Sequence, residues 1–150
     1  QKPINFLLST QSLQERNQYS EVSREIIAAH PIRGTGIGQF VFYEYSENQN
    51  WPGWQYQPVH NIYFLLTSEL GIVGLILFLG IILTLLNNYC FMRNTPRNTP
   101  VLLTYTTYCF IIISLLVIAF FDHYFWDLKQ GLVTFVIPFF FLYMEIGNFD

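Results

Sequence analysis

The chain has 150 residues, 52% of them hydrophobic and 19% aromatic, but only 11% charged, with a net charge of -3. A soluble domain carries roughly 25% charged residues, and here the few charges from Glu69 onward are separated by long uncharged runs, which is a membrane signature. The negative balance without a basic run argues against nucleic acid as a partner, and Cys90 and Cys109 offer neither metal-ligand spacing nor a disulfide framework.

Residues 1–60 are polar to mixed and contain one clear helix. Ser12 followed by Glu15 predicts a capping box at its start, the hydroxyl accepting an early backbone N–H while the carboxylate reaches back. Tyr19, Val22, Ile26 and Ala29 recur at helical spacing and define an apolar stripe. His30 precedes Pro31, which disfavours continued helix, so the helix ends there. Gly34-Thr35-Gly36-Ile37-Gly38 follows as a tight turn, expected to dock this helix onto a membrane domain. Its resemblance to half of a dinucleotide fingerprint is rejected, because no strand precedes it and no βαβ unit surrounds it. The aromatic stretch Phe40 to Tyr45 leads into an ordered surface or interfacial loop from Ser46 to Pro58.

From Asn61 onward the chain turns apolar. Residues 70–86 carry no charge, and the flank from Ile62 extends them beyond the ~20 residues that cross a bilayer. Three spans are predicted, over about 62–88, 101–121 and 129–146, the last containing Pro138 and relying on Lys129 to snorkel. The loop Asn87 to Pro100 carries Arg93 and Arg97 without an acid, which makes it cytoplasmic. Residues 1–61 and the turn Asp122 to Asp127 then lie outside, against the pull of Lys2, Arg16, Arg24 and Arg33 on the outer side. The fold class is an all-α polytopic bundle. Gln1, with no preceding Met or signal segment, is read as a cut into a longer protein.

Three side chains stand out chemically. His60 lies at the mouth of the first span, where a neutral imidazole can accept a proton from a sugar hydroxyl; on pattern alone, a simple interfacial helix cap is the leading alternative. Arg16 borders the apolar stripe, and its fixed fork suits pyrophosphate oxygens; the alternative is a solvated arginine paired with Glu15 or Glu21. Glu69 stands near the membrane interior, where an acid is costly, and a structural clamp and a catalytic role are both open. Asp122 and His123 sit in an aromatic belt, where anchoring is the simpler reading.

These pieces fall in a familiar order. Ser12-Leu13-Gln14-Glu15-Arg16, then His30-Pro31-Ile32-Arg33-Gly34-Thr35-Gly36-Ile37-Gly38-Gln39-Phe40, then His60-Asn61-Ile62-Tyr63-Phe64-Leu65 and Glu69-Leu70-Gly71 resemble the motifs of the O-antigen ligase/polymerase family over roughly residues 12–80. The resemblance implies a glycosyltransferase-C type fold in the cytoplasmic membrane and a site on its outer side. It implies metal-independent, inverting transfer from a polyprenyl-pyrophosphate-linked glycan donor to a glycan, lipid or protein hydroxyl, with no cofactor. By position, Arg16 would hold the donor pyrophosphate and His60 would serve the acceptor hydroxyl, with Arg33, Asn61 and Glu69 as further substrate contacts. An earlier family arginine has no counterpart here, so this stretch alone is expected to be inactive. A competing reading from another class is a non-enzymatic transporter of lipid-linked glycans, or a structural subunit. A transporter would carry ionisable groups through its spans, whereas 70–86 and 101–121 have none.

Overall fold

The computed structural model describes residues 4–93 and 99–147. Among them are six α-helices and no strand: α1 Ile4–Ala29, α2 Phe40–Glu47, α3 Ile62–Arg93, α4 Thr99–Ile118, α5 Tyr124–Asp127 and α6 Lys129–Gly147, with a single 3-10 turn at Gly53–Gln55. The all-helical expectation holds. One stretch, Ile62–Asn87 in α3, is both long and apolar enough to cross a membrane; the apolar stretches Thr106–Ile118 and Lys129–Phe141 are shorter. Lys2 and Arg97 lie outside the described residues. The chain forms two compact units, Gln1–Leu75 and Ile76–Asp150.

In the first unit, α1 ends at Ala29 as Pro31 requires, with the His30 N–H still bonded to the Ile26 carbonyl at 2.8 Å. Its start corrects the capping box: the helix already runs from Ile4, so Ser12 lies well inside it. Tyr19, Val22 and Ile26 are buried as the stripe predicts, whereas Ala29, in the last turn, is exposed. Small Ser23 lets this face meet α3 closely. Its hydroxyl lies 2.8 Å from that of Ser68, both residues fully buried, and the Ser68 hydroxyl also lies 2.9 Å from the Phe64 carbonyl.

The glycine turn does dock, and it docks on a break in α3. Gly71 adopts φ 68°, ψ -174° and interrupts the helix. A left-handed residue there releases carbonyls that would otherwise accept within the helix. Two of them are taken by the turn: Thr35 N–H donates to Ser68 O at 2.9 Å and Gly36 N–H to Glu69 O at 2.8 Å. In return the Ile72 N–H donates to Pro31 O at 2.9 Å. Gly34, itself at φ 66°, lies against the backbone of Glu69 and Leu70, and Gly71 lies against Ile32 and Arg33. A Cβ at either glycine would strike main chain, which cannot move aside.

The second unit is built around aromatic rings. Phe135 stacks on Phe78 at 6.0 Å and on Phe125 at 5.7 Å, while Cys109 and Ile112 of α4 form a small core with Leu85, Leu86 and Phe139. Gly131 in the first turn of α6 lies against the Tyr124 carbonyl, so α5 folds tightly onto α6. Pro138 is buried within α6 without ending it.

Gly34→Ala and Gly71→Ala should each destabilise the protein. The left-handed backbone alone costs about 1–2 kcal/mol, and the main-chain clash adds to it. Gly53→Ala, with open space around it, is the control. Thermal unfolding in detergent checks this; equal melting temperatures for Gly34→Ala and Gly53→Ala would show that the close approach does not matter.

Candidate functional site

His60 is held by its neighbours on both sides. Val59 is buried, and the Asn61 N–H returns to the Val59 carbonyl at 2.7 Å, making a three-residue turn with His60 at the apex. Asn61 then caps α3: its side-chain oxygen accepts from the N–H groups of Tyr63 at 2.9 Å and Phe64 at 3.1 Å. The cap is therefore Asn61, which corrects the reading of His60 as the cap. His60 is left half-buried, presenting its ring just outside the helix.

Across from it stands α1. The Tyr19 ring lies 6.1 Å from the imidazole, tilted by 53°, and its hydroxyl donates to the Gln55 carbonyl at 3.0 Å. Gln55 in turn donates from its side chain to Gln18 at 3.2 Å. These bonds strap the 53–60 loop to α1. Arg16 is exposed one turn before Tyr19, and three residues apart on a helix is the same face. The backbone carbonyl of Arg16 accepts from the Ser20 hydroxyl at 2.9 Å.

Glu69 is buried and faces the first unit, its carboxylate accepting from the Phe40 N–H at 3.4 Å. Phe40 opens α2, and Gln39 before it supplies no side-chain cap. An acid at a helix N-terminus satisfies orphan donors and complements the dipole, so the clamp is the role this geometry gives Glu69. Arg33 is exposed in the glycine turn, beside a shallow cleft of about 420 Å³ that it lines with His30, Pro31, Ile32 and Gly34. Thus Arg16 lies on the side of α1 that carries Tyr19, the ring beside His60, Asn61 caps the helix that follows His60, Glu69 meets the start of α2, and Arg33 is exposed in the glycine turn.

Asp122 and His123 belong to the second unit. The His123 N–H donates to Asp122 Oδ1 at 2.7 Å, the imidazole Nδ1 lies 3.5 Å from the same oxygen, and the ring tilts against Tyr124.

One ionisable group was not singled out by sequence. Glu44 on α2 is fully buried, and neither carboxyl oxygen has a hydrogen-bond partner among the described residues. Burial pushes its pKa up to about 8; the Gln57 backbone N–H opposes this without closing a short bond. Burial, then the Glu44 and Glu15 carboxylates, also push the Tyr19 phenol up, so Glu44 lies within electrostatic reach of the ring beside His60. The available signal was its spacing: Glu44 is four residues from Phe40, and both occupy the buried side of α2.

Because Glu44 keeps its proton in the folded state to about pH 8 but loses it near 4.5 when unfolded, the native state binds more protons between those values. Stability must therefore fall as pH rises through that window. Glu44→Gln removes this dependence. The melting temperature of the variant relative to the parent should climb from about pH 4.5 to about pH 8 and then level off; a difference that stays flat with pH would show the carboxyl to be ionised throughout.

A family model described as O-antigen ligase matches residues 8–79, the segment that holds α1 from its second turn, the glycine turn, α2, His60 and α3 past its break. No curated protein and no solved structure matches the chain.

Proposed function

We propose that this chain, whose residues 8–79 belong to the O-antigen ligase family, acts in glycan transfer from a polyprenyl-pyrophosphate-linked donor to an acceptor hydroxyl at the outer face of the cytoplasmic membrane. The family is membrane-associated and acts in O-antigen ligase or polymerase-type transfer on lipid-linked glycans. The observation that carries the finer reading is the imidazole of His60 at the apex of a tight turn, braced by the Tyr19 ring, with Arg16 one turn along the opposing helix.

In this proposal the acceptor oxygen attacks the anomeric carbon of the donor sugar. The new C–O bond forms as the bond to the pyrophosphate oxygen breaks, and the configuration inverts. The hydroxyl proton passes to His60, and the negative charge arriving on the pyrophosphate is met by Arg16. A permanently charged, planar guanidinium matches phosphate oxygens in two-pronged fashion. With a good leaving group already present, charge neutralisation and placement suffice without a metal. Asn61 holds the histidine in register through the helix cap, and Tyr19 limits the tilt of its ring.

In the intact membrane protein, His60→Ala should lower the transfer rate by about 10²–10⁴-fold, the usual worth of a general base, with membrane insertion unchanged. Arg16→Gln should cost about 10²–10³-fold, as loss of one transition-state charge partner does. Product formation from a labelled lipid-linked oligosaccharide measures both. Undiminished product from the alanine variant would remove the histidine from the chemistry, and movement of the donor across the bilayer without a new glycosidic bond would make the protein a transporter.

A further inference from the structure

The docking level of the glycine turn carries a consequence for where this part of the chain meets lipid. The apolar stretch Ile62–Asn87 has 26 residues. Gly71 interrupts the helix within it, and the polar Thr67-Ser68-Glu69 gives way to the uncharged run that begins at Leu70. At about 1.5 Å per residue the part beyond the break, Ile72 to Asn87, spans roughly 24 Å, against a hydrocarbon core of about 30 Å. The core therefore extends a few residues back past the break, and hydrocarbon begins near Ser68 to Leu70. That is the level at which Thr35 and Gly36 bond to the Ser68 and Glu69 carbonyls, and at which Pro31 receives the Ile72 N–H.

A turn docked at this level meets the bilayer with its own side chains. Ile32 and Ile37 are 63% and 67% exposed, and together with their exposed apolar neighbours on α3 they make a surface that an acyl boundary would cover. Ile72 and Val73 of α3, exposed and apolar, continue that surface directly from the Pro31 contact. Between the apolar tips, Arg33 and His30 line the open cleft, and no acid lines it. Exposed apolar residues flanking a guanidinium match the layering of a phospholipid, acyl chain below and phosphate above.

We propose that the His30–Gly38 turn is a membrane-surface anchor: Ile32 and Ile37 enter the acyl boundary of the leaflet that α3 first meets, and Arg33, beside His30, binds the phosphate of an anionic phospholipid. The anchor rests on α3 crossing the bilayer and is independent of the role given to His60. Through the Gly34–Gly71 contact it sets the height of α1 and of the His60 turn above the lipid.

The test uses the intact protein in vesicles of phosphatidylcholine with and without phosphatidylglycerol, Cys90 and Cys109 replaced by Ala. A bimane label is placed at Ile37→Cys and, as a reference within α3, at Gly80→Cys. Position 37 should be quenched by a nitroxide on a shallow acyl carbon more strongly than by a water-soluble nitroxide, and position 80 by a nitroxide deeper in the chain. Energy transfer to labelled phosphatidylglycerol should drop about fivefold in Arg33→Gln, the usual worth of one cation near an anionic surface, and inorganic pyrophosphate should not displace the lipid. Quenching of position 37 only from water, with position 80 quenched by lipid, overturns the anchor alone. Water-only quenching at both positions overturns the membrane reading with it. Displacement by pyrophosphate moves Arg33 to a free-phosphate site and also overturns the proposal. His60→Ala should leave every one of these signals unchanged, which separates failure of the anchor from failure of the catalytic reading.

Discussion

Two glycine backbones meeting face to face hold the first unit together. Gly34 presses on the main chain of Glu69 and Leu70 while Gly71 presses on that of Ile32 and Arg33, and three main-chain hydrogen bonds at 2.8 to 2.9 Å close the contact from both sides. Neither partner can do this alone. Without the left-handed residue at 71, the Ser68 and Glu69 carbonyls would remain in the helical ladder; without one at 34, the turn could not come near enough to reach them. The remaining side chains of the unit are placed relative to this contact. Glu69, at the seam, reaches the first N–H of α2, and α2 then carries Glu44 to within electrostatic reach of Tyr19.

A second set of ties runs along α1. Ser23 and Ser68 bring the two helices close through small hydroxylated side chains rather than bulky ones, and each hydroxyl stays within hydrogen-bond reach of a partner. That choice satisfies buried polar groups, which would otherwise cost about 1–3 kcal/mol each. It also sets the rotation of α1. With Ser23, Ile26, Val22 and Tyr19 turned inward, Arg16, three residues before Tyr19, shares that side of the helix. Arg16 is exposed and His60 half-buried, the accessibility that the proposed glycan-transfer site needs. Of the buried acids in this unit, Glu69 meets the start of α2 and Glu44 lies within electrostatic reach of Tyr19.

The parts of this arrangement that sequence made legible are those governed by local rules. The stripe Tyr19, Val22 and Ile26 obeys helical periodicity, the helix ends where proline forbids its continuation, and the glycine run forms a docking turn. Legibility failed where a local pattern competes with a longer-range one. Ser12 and Glu15 have the spacing of a capping box, but α1 already begins at Ile4, so the same residues sit on a helical surface instead. His60 precedes the apolar run as a cap would, yet Asn61 has the shorter side chain that reaches the N–H groups of Tyr63 and Phe64. Glu44 is hard to read from sequence because the aromatic residues around it obscure the four-residue spacing from Phe40. A carboxyl that stays protonated near neutral pH can be buried where an ionised one could not. Of the three expected spans, α3 alone meets the length and apolarity of a crossing helix among the described residues.

The order of the motifs follows from the same geometry. The histidine-proline turn, the glycine run, the histidine-asparagine pair and the glutamate-glycine pair are scattered over some forty residues of sequence, yet each touches α3 or its cap within a few turns. Asn61 begins that helix and Gly71 breaks it. At 3.6 residues per turn the separation between them is just under three turns, so the helix acts as a ruler between the imidazole and the glycine dock. The connection from Gly38 to Val59 leaves this ruler at one end and returns to it at the other. Its own bonds, Tyr56 to the Asn48 carbonyl at 2.6 Å and the Trp51 and Tyr45 rings against Tyr56, are largely internal, and its tie to α1 passes through the Gln55 backbone and amide. A loop with both ends fixed on one rigid element can change length and composition without moving His60, because closing a longer loop costs only about 0.6 kcal/mol per doubling. The segment between the two anchors can therefore differ in length while the His60 turn keeps its position.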